Sequence, residues 1–158
     1  MKKLLSVLAV LFVLGTTHAF SLGIGAQGGY PLGGALTFKV DSLPCVFAVD
    51  GHFGNSSTGI GLTADWWFAN PTIQGSWGYY YGLGVFGSMY FGDNWSNLNV
   101  GPRVLIGTNV FLLDGFLELY LQAAYQPTFV VHLSGEYGDA GFDWFDIGAA
   151  LGFRVWLK

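Results

Sequence analysis

Beyond its first twenty residues the chain alternates apolar and small or polar positions with a period of two, the spacing at which successive strand side chains point to opposite sides. Eight such stretches are separated by turn-forming residues, at roughly 20–30, 34–40, 45–53, 59–68, 77–91, 97–107, 116–131 and 145–157. The separators include Pro31 to Gly33, Asp41 to Pro44, Gly54-Asn55-Ser56-Ser57, Asn70-Pro71, Gly92-Asp93-Asn94, Leu113-Asp114-Gly115 and Ser134 to Gly141. No segment carries a helical period of useful length.

Writing the two faces separately sorts the chemistry. One face holds Ile24, Leu36, Phe47, Ile60, Leu62, Leu83, Val85, Val104, Ile106, Leu119, Leu121, Ile147, Leu151, Phe153 and similar residues, and no charge. The other holds Lys39, Asp50, His52, Asp65, Arg103, Glu118, Asp146 and Arg154, together with most strand glycines. An apolar outside and a small, polar and charged inside predict an all-β fold. The expected form is an eight-stranded antiparallel up-and-down transmembrane β-barrel, because closure satisfies every backbone group in lipid. A soluble ligand-binding barrel requires the reverse partition.

Aromatic residues gather at strand ends, as interfacial belts require. Trp66, Trp77, Tyr79 and Trp156 are assigned to one rim, and Tyr90, Trp95 and Trp144 to the other. Pro102 interrupts the sixth stretch and predicts a bulge or irregular pairing around Gly101.

The N-terminus reads as a targeting signal. Lys2 and Lys3 precede the apolar run Leu4 to Leu14, and Thr17-His18-Ala19 supplies the small residues of a cleavage site. Residues 1–19 are expected to be a cleaved signal peptide and 20–158 the barrel. Loss of the two lysines takes the formal net charge from −4 to −6. With both termini on the periplasmic side, the longest outward loop is the acidic stretch near 132–143, whose Glu136, Tyr137 and Asp139 form the expected recognition surface.

Composition narrows the function. Only 10% of the 158 residues are charged, against 52% hydrophobic and 25 glycines, and six Lys plus Arg leave no basic stripe for nucleic acid. The single cysteine, Cys45, argues against an intrachain disulfide. No His or Cys cluster has metal-ligand spacing, so no metal, cofactor or catalytic residue is assigned. His132-Leu133-Ser134 looks like the His-x-Ser element of outer-membrane lipid A deacylases, with Glu136, Asp139 or Asp143 to orient the imidazole, but Gly135 stands where that family has Asn. An eight-stranded lumen holds its own side chains and little more, so a plug of paired charges is favoured over a gated path for solutes.

Gly101-Pro102-Arg103-Val104-Leu105-Ile106-Gly107, then Phe116-Leu117-Glu118-Leu119-Tyr120-Leu121-Gln122 and Pro127, resemble the second half of a spirochaete-type family of uncharacterised small outer-membrane barrels. These are similar in architecture to the OmpA transmembrane domain and to OmpW-like proteins. The resemblance covers the last third of the chain and the strand plan. Trp156 is followed by Leu157-Lys158, where such barrels end on an aromatic residue. It implies a surface-exposed outer-membrane protein whose partners are membrane lipid or lipopolysaccharide, the barrel-assembly machinery and an unnamed host or extracellular ligand. The expected function is non-enzymatic, structural or surface-interacting. The alternatives are a narrow OmpW-like channel and a lipid A acyl hydrolase using His132 and Ser134.

Overall fold

The computed structural model describes residues 21–31, 33–54, 57–133 and 140–157; the expected signal peptide and the loop residues Ser134, Glu136, Tyr137 and Asp139 lie outside them. Its strands are β1 (Leu22–Tyr30), β2 (Gly33–Val40), β3 (Cys45–Phe53), β4 (Ser57–Ala69), β5 (Thr72–Gln74), β6 (Trp77–Gly92), β7 (Ser96–Leu112), β8 (Leu117–Tyr125), β9 (Thr128–His132), β10 (Ala140–Asp143) and β11 (Ile147–Leu157).

Eight of them close into an antiparallel barrel. β1, β2, β3, β4, β6, β7 and β8 follow one another around the wall, and β11 pairs with both β8 and β1 to seal it. Closure removes the open edges that a flat sheet of this size exposes. The turns after β2, β4 and β7 share one end with Leu22 and Leu157, here the near end; the turns after β1, β3 and β6 lie at the far end. At the near end Leu113 (φ 53°) and Asp114 (φ 55°) make a left-handed two-residue turn closed by Gly115 N–H on the Leu112 carbonyl at 3.2 Å.

The three remaining strands refine the expected plan. β5 sits in the predicted 69–76 turn and pairs with β6, while β7 runs on to Leu112 through most of the expected 108–115 turn. The predicted seventh stretch is divided at Gln126-Pro127 into β8 and β9. Part of the expected 132–143 loop is strand β10, which forms a hairpin with β9. β6, β7, β9 and β10 therefore raise one side of the far rim above the rest.

Pro102 causes no bulge in its own strand. β7 keeps an unbroken register with β6, where Pro102 faces Val85. Pairing stops instead on the other side, between Val104↔Tyr125 and Val100↔Phe129, and the same register on both sides of the gap sets Pro102 opposite Pro127. Leu133 N–H bonds the Ser96 carbonyl in this register, so the alternation makes the proline pair a rung of the kind that exchanges two hydrogen bonds. Both missing donors fall in that one rung, and the ladder resumes intact on either side.

The two faces are as the alternation predicts. Outward side chains are apolar and exposed, among them Ile60, Leu62, Val85, Val104, Ile106, Leu121, Ile147 and Leu151. Inward, the large side chains stand opposite glycines of neighbouring strands: Trp67↔Gly82, Tyr80↔Gly107, Phe86↔Gly101, Tyr120↔Gly152 and Trp156↔Gly23. A Cβ on Gly107 would lie 2.3 Å from Tyr80 Cζ, and one on Gly152 2.5 Å from Tyr120 Cζ, so the rings occupy space that only glycine leaves.

Candidate functional site

The candidate site is the lumen, and it is filled in layers. At the near end Glu118 on β8 and Arg154 on β11 face each other across the ladder, both fully buried, with Nη1 3.1 Å from Oε2. Asn109 Nδ2 donates to Glu118 Oε1 at 2.8 Å and Trp156 Nε1 donates to Oε2 at 3.1 Å, so this carboxylate is held by three donors. The Arg154 guanidinium lies 4.0 Å above the Tyr120 ring and Lys39 Nζ 3.9 Å above Trp67. Charges removed from water persist only when answered in this way.

The middle layer is packed with buried side chains. Trp67 and Tyr80 stack at 3.7 Å with planes 8° apart. Val46, Leu105 and Ala124 pack with them and with Tyr120 as a buried apolar cluster. Tyr80 Oη donates to Gln122 Oε1 at 3.3 Å, and Tyr120 Oη donates to Gln27 Oε1 at 3.0 Å. Arg103 Nε lies 3.2 Å from Asp65 Oδ1. That pair bridges β4 and β7 over Gly84, where a Cβ would come within 2.1 Å of the Asp65 carboxylate.

Toward the far end the packing loosens. A cavity of ≈ 30 Å³ is lined by Gln27, Asp50, Thr63, Arg103, Gln122 and Gln126 among others. Asp146 accepts from Thr128 Oγ1 at 3.1 Å and Gln126 Nε2 at 3.3 Å. His52 meets Tyr90 edge-on, and His132 Nδ1 lies 2.7 Å from Asn97 Oδ1 at the rim. His132 is thus engaged by an amide, and Ser134 and its expected acidic partners Glu136 and Asp139 lie outside the described residues. Among the described residues no group of three or more His, Cys, Asp or Glu is arranged to hold a metal ion.

Every polar residue assigned to the interior (Lys39, Asp50, His52, Asp65, Arg103, Glu118, Asp146 and Arg154) is on the inner side and buried or half-buried. The aromatic belts need two corrections. Trp66, Trp77, Tyr79, Trp95 and Trp144 are exposed, but Trp156 is buried, because it shares the inward parity of Arg154 and its indole is needed by Glu118. Tyr90 likewise shares the inward parity of Phe86 and Ser88 and covers His52. Residue type and position at a strand end point Trp156 and Tyr90 to the rims, whereas their parity points them inward. Gln27 lies inside as its strand parity requires, whereas Asn109, Gln126 and Thr128 have no sequence signal, since a lone amide or hydroxyl carries none until a partner strand brings an acceptor.

No helix among the described residues is long and apolar enough to cross a membrane. No protein-family model matches the sequence, and no curated protein matches it either. The class rests on geometry: a small, closed eight-stranded antiparallel β-barrel.

Proposed function

We propose that the chain is an integral outer-membrane barrel, exported through the signal at 1–19, with a structural or surface-interaction role and a plugged lumen. One observation carries this reading. The wall is apolar and exposed all the way round, while the strand charges are turned inward, four of them in the buried pairs Arg103–Asp65 and Arg154–Glu118. In water such a wall is an uninterrupted apolar surface far beyond the few hundred Å² that soluble monomers expose; in lipid it is the ordinary outer face of a barrel. The partners it fits are acyl chains, the lipid or lipopolysaccharide headgroups at the aromatic rims, and the assembly machinery that inserts barrels.

The buried cluster of Trp67, Tyr80, Leu105 and Tyr120 and the fully buried Glu118–Arg154 layer favour a plug over a conducting path, since side chains that water does not reach leave no room for a water column. The test is to fold residues 20–158 into micelles or liposomes. Heat-modifiable gel migration, a β spectrum that appears only with amphiphile, and silence in planar bilayers are expected. A folded monomer in plain buffer would overturn the membrane reading, and steady conductance would overturn the plug.

A further inference from the structure

We propose that the open edge of β10 receives an extended, basic peptide segment as an added strand at the far rim. β10 is the last strand of the sheet: it pairs with β9 on one side, and no described residue pairs with it on the other. β1, which pairs with β11 below, ends at Tyr30 opposite Ala149 and leaves the chain above that rung uncovered. This proposal deepens the surface-interaction reading and rests on it.

The edge has a defined set of free groups. The bond from Leu133 N–H to the Ser96 carbonyl turns the backbone groups of Leu133, Val131 and Phe129 toward β7, so those of Val130 and Thr128 are turned to β10. Their partners Gly141 and Asp143 are thereby used, and the N–H and C=O of Ala140 and Phe142 point away from the sheet. All of β10 is exposed, and it carries neither the Pro nor the Lys that blunts such an edge. Strand addition uses main-chain groups in this state. A lipid chain cannot answer them.

Charge selects the partner. The far rim holds Asp93, Asp143 and Asp146, and the sequence adds Glu136 and Asp139 between β9 and β10. The six Lys and Arg are at positions 2, 3, 39, 103, 154 and 158, none of them on that rim. Asp143 is exposed at the end of the edge, and its Oδ1 accepts from Phe145 N–H at 3.0 Å. A second copy would set acid against acid across the new rungs, which is destabilising, whereas a Lys or Arg on the added strand meets Asp143 favourably.

The experiment is a titration of the ¹⁵N-labelled chain, residues 20–158 folded in zwitterionic micelles, with a short blocked peptide of alternating Lys and Thr. Heat-modifiable migration of the same sample is checked first, so that a failure of the membrane reading is seen apart from a failure of the edge. A chain that folds in plain buffer is titrated there. Saturable shifts of the Ala140 and Phe142 amides are expected, with slower hydrogen exchange at both. Phe142→Pro, which removes a free donor without breaking a bond to β9, should weaken binding about tenfold or more. If that variant does not fold, Ala140→Pro should do the same. Asp143→Asn keeps the acceptor for Phe145 and should weaken binding about two- to fivefold. A properly migrating wild type with no saturable shift, or undiminished binding by Phe142→Pro, would overturn the proposal. So would equal binding of a Glu-Thr peptide, or peptide-independent shifts that grow with protein concentration, the mark of a second copy on the edge.

Discussion

Arg154 Nη1 lies 3.1 Å from Glu118 Oε2, and the two residues are direct cross-strand partners on β11 and β8 with neither side chain exposed. Register, hydrogen bonding and charge meet at this point. Asn109 and Trp156 saturate the carboxylate from β7 and β11, so one acidic side chain ties three strands together.

Arg154→Met strands the Glu118 charge in the lumen and is expected to cost about 3–5 kcal/mol, as broken buried ion pairs do. The double variant Glu118→Leu, Arg154→Met should recover most of that loss. Reversible urea unfolding in micelles, followed by tryptophan fluorescence, measures both; a neutral Arg154→Met would refute this account of the pair.

Gly107→Val places a branched side chain in the space of the Tyr80 ring and should cost about 1–3 kcal/mol, the range for overpacking. In combination with Tyr80→Ala the two losses should be clearly less than additive. Gly141→Ala, which meets nothing within 4 Å, is the control and should leave the unfolding midpoint unchanged.

Leu62 is 61% exposed on the outer wall. Leu62→Arg should destabilise the barrel in liposomes by about 2–4 kcal/mol, as a basic residue near mid-bilayer does. On a water-facing surface the same change would stay within about 0.5 kcal/mol. That smaller value in liposomes would count against the outer-membrane proposal.

Single-tryptophan variants separate rim from lumen. Brominated lipids should quench Trp66, Trp77 and Trp144, which are exposed, and leave Trp67 and Trp156, which are buried. Strong quenching of Trp156 would mean that its indole has left Glu118.

The alternation was legible because parity is a local property: Lys39, Asp50, Asp65, Arg103, Glu118 and Arg154 all lie inside as their strand positions require. Their partners were not legible. That Arg103 meets Asp65 depends on β4, β6 and β7 sharing one register over Gly84, and no single strand encodes it. The irregular pairing expected around Gly101 is present, between Val104 and Val100, but the part that Pro127 plays in it is not legible from Pro102. Its missing donor is met by a second missing donor on Pro127, so the irregularity passes to the neighbouring strand. Trp156 and Tyr90 were misplaced where aromatic character at a strand end was weighed above parity. β10 lay hidden in an acidic stretch because its pairing with β9 is set by the hairpin and not by a period of its own.

The glycines opposite the large inward residues have a further consequence for how the wall finds its alignment. A slip of one residue turns every side chain inside out and is rejected at once. A slip of two preserves inside and outside completely, so hydrophobicity is blind to it. Volume is not: sliding β7 two places along β6 sets Tyr80 against Leu105 or Asn109 in place of Gly107, and sliding β11 along β8 sets Tyr120 against Ala150 or Arg154 in place of Gly152. The vacant positions act as keyways, each admitting one ring from the next strand, and they carry the alignment message that the period of two leaves unwritten.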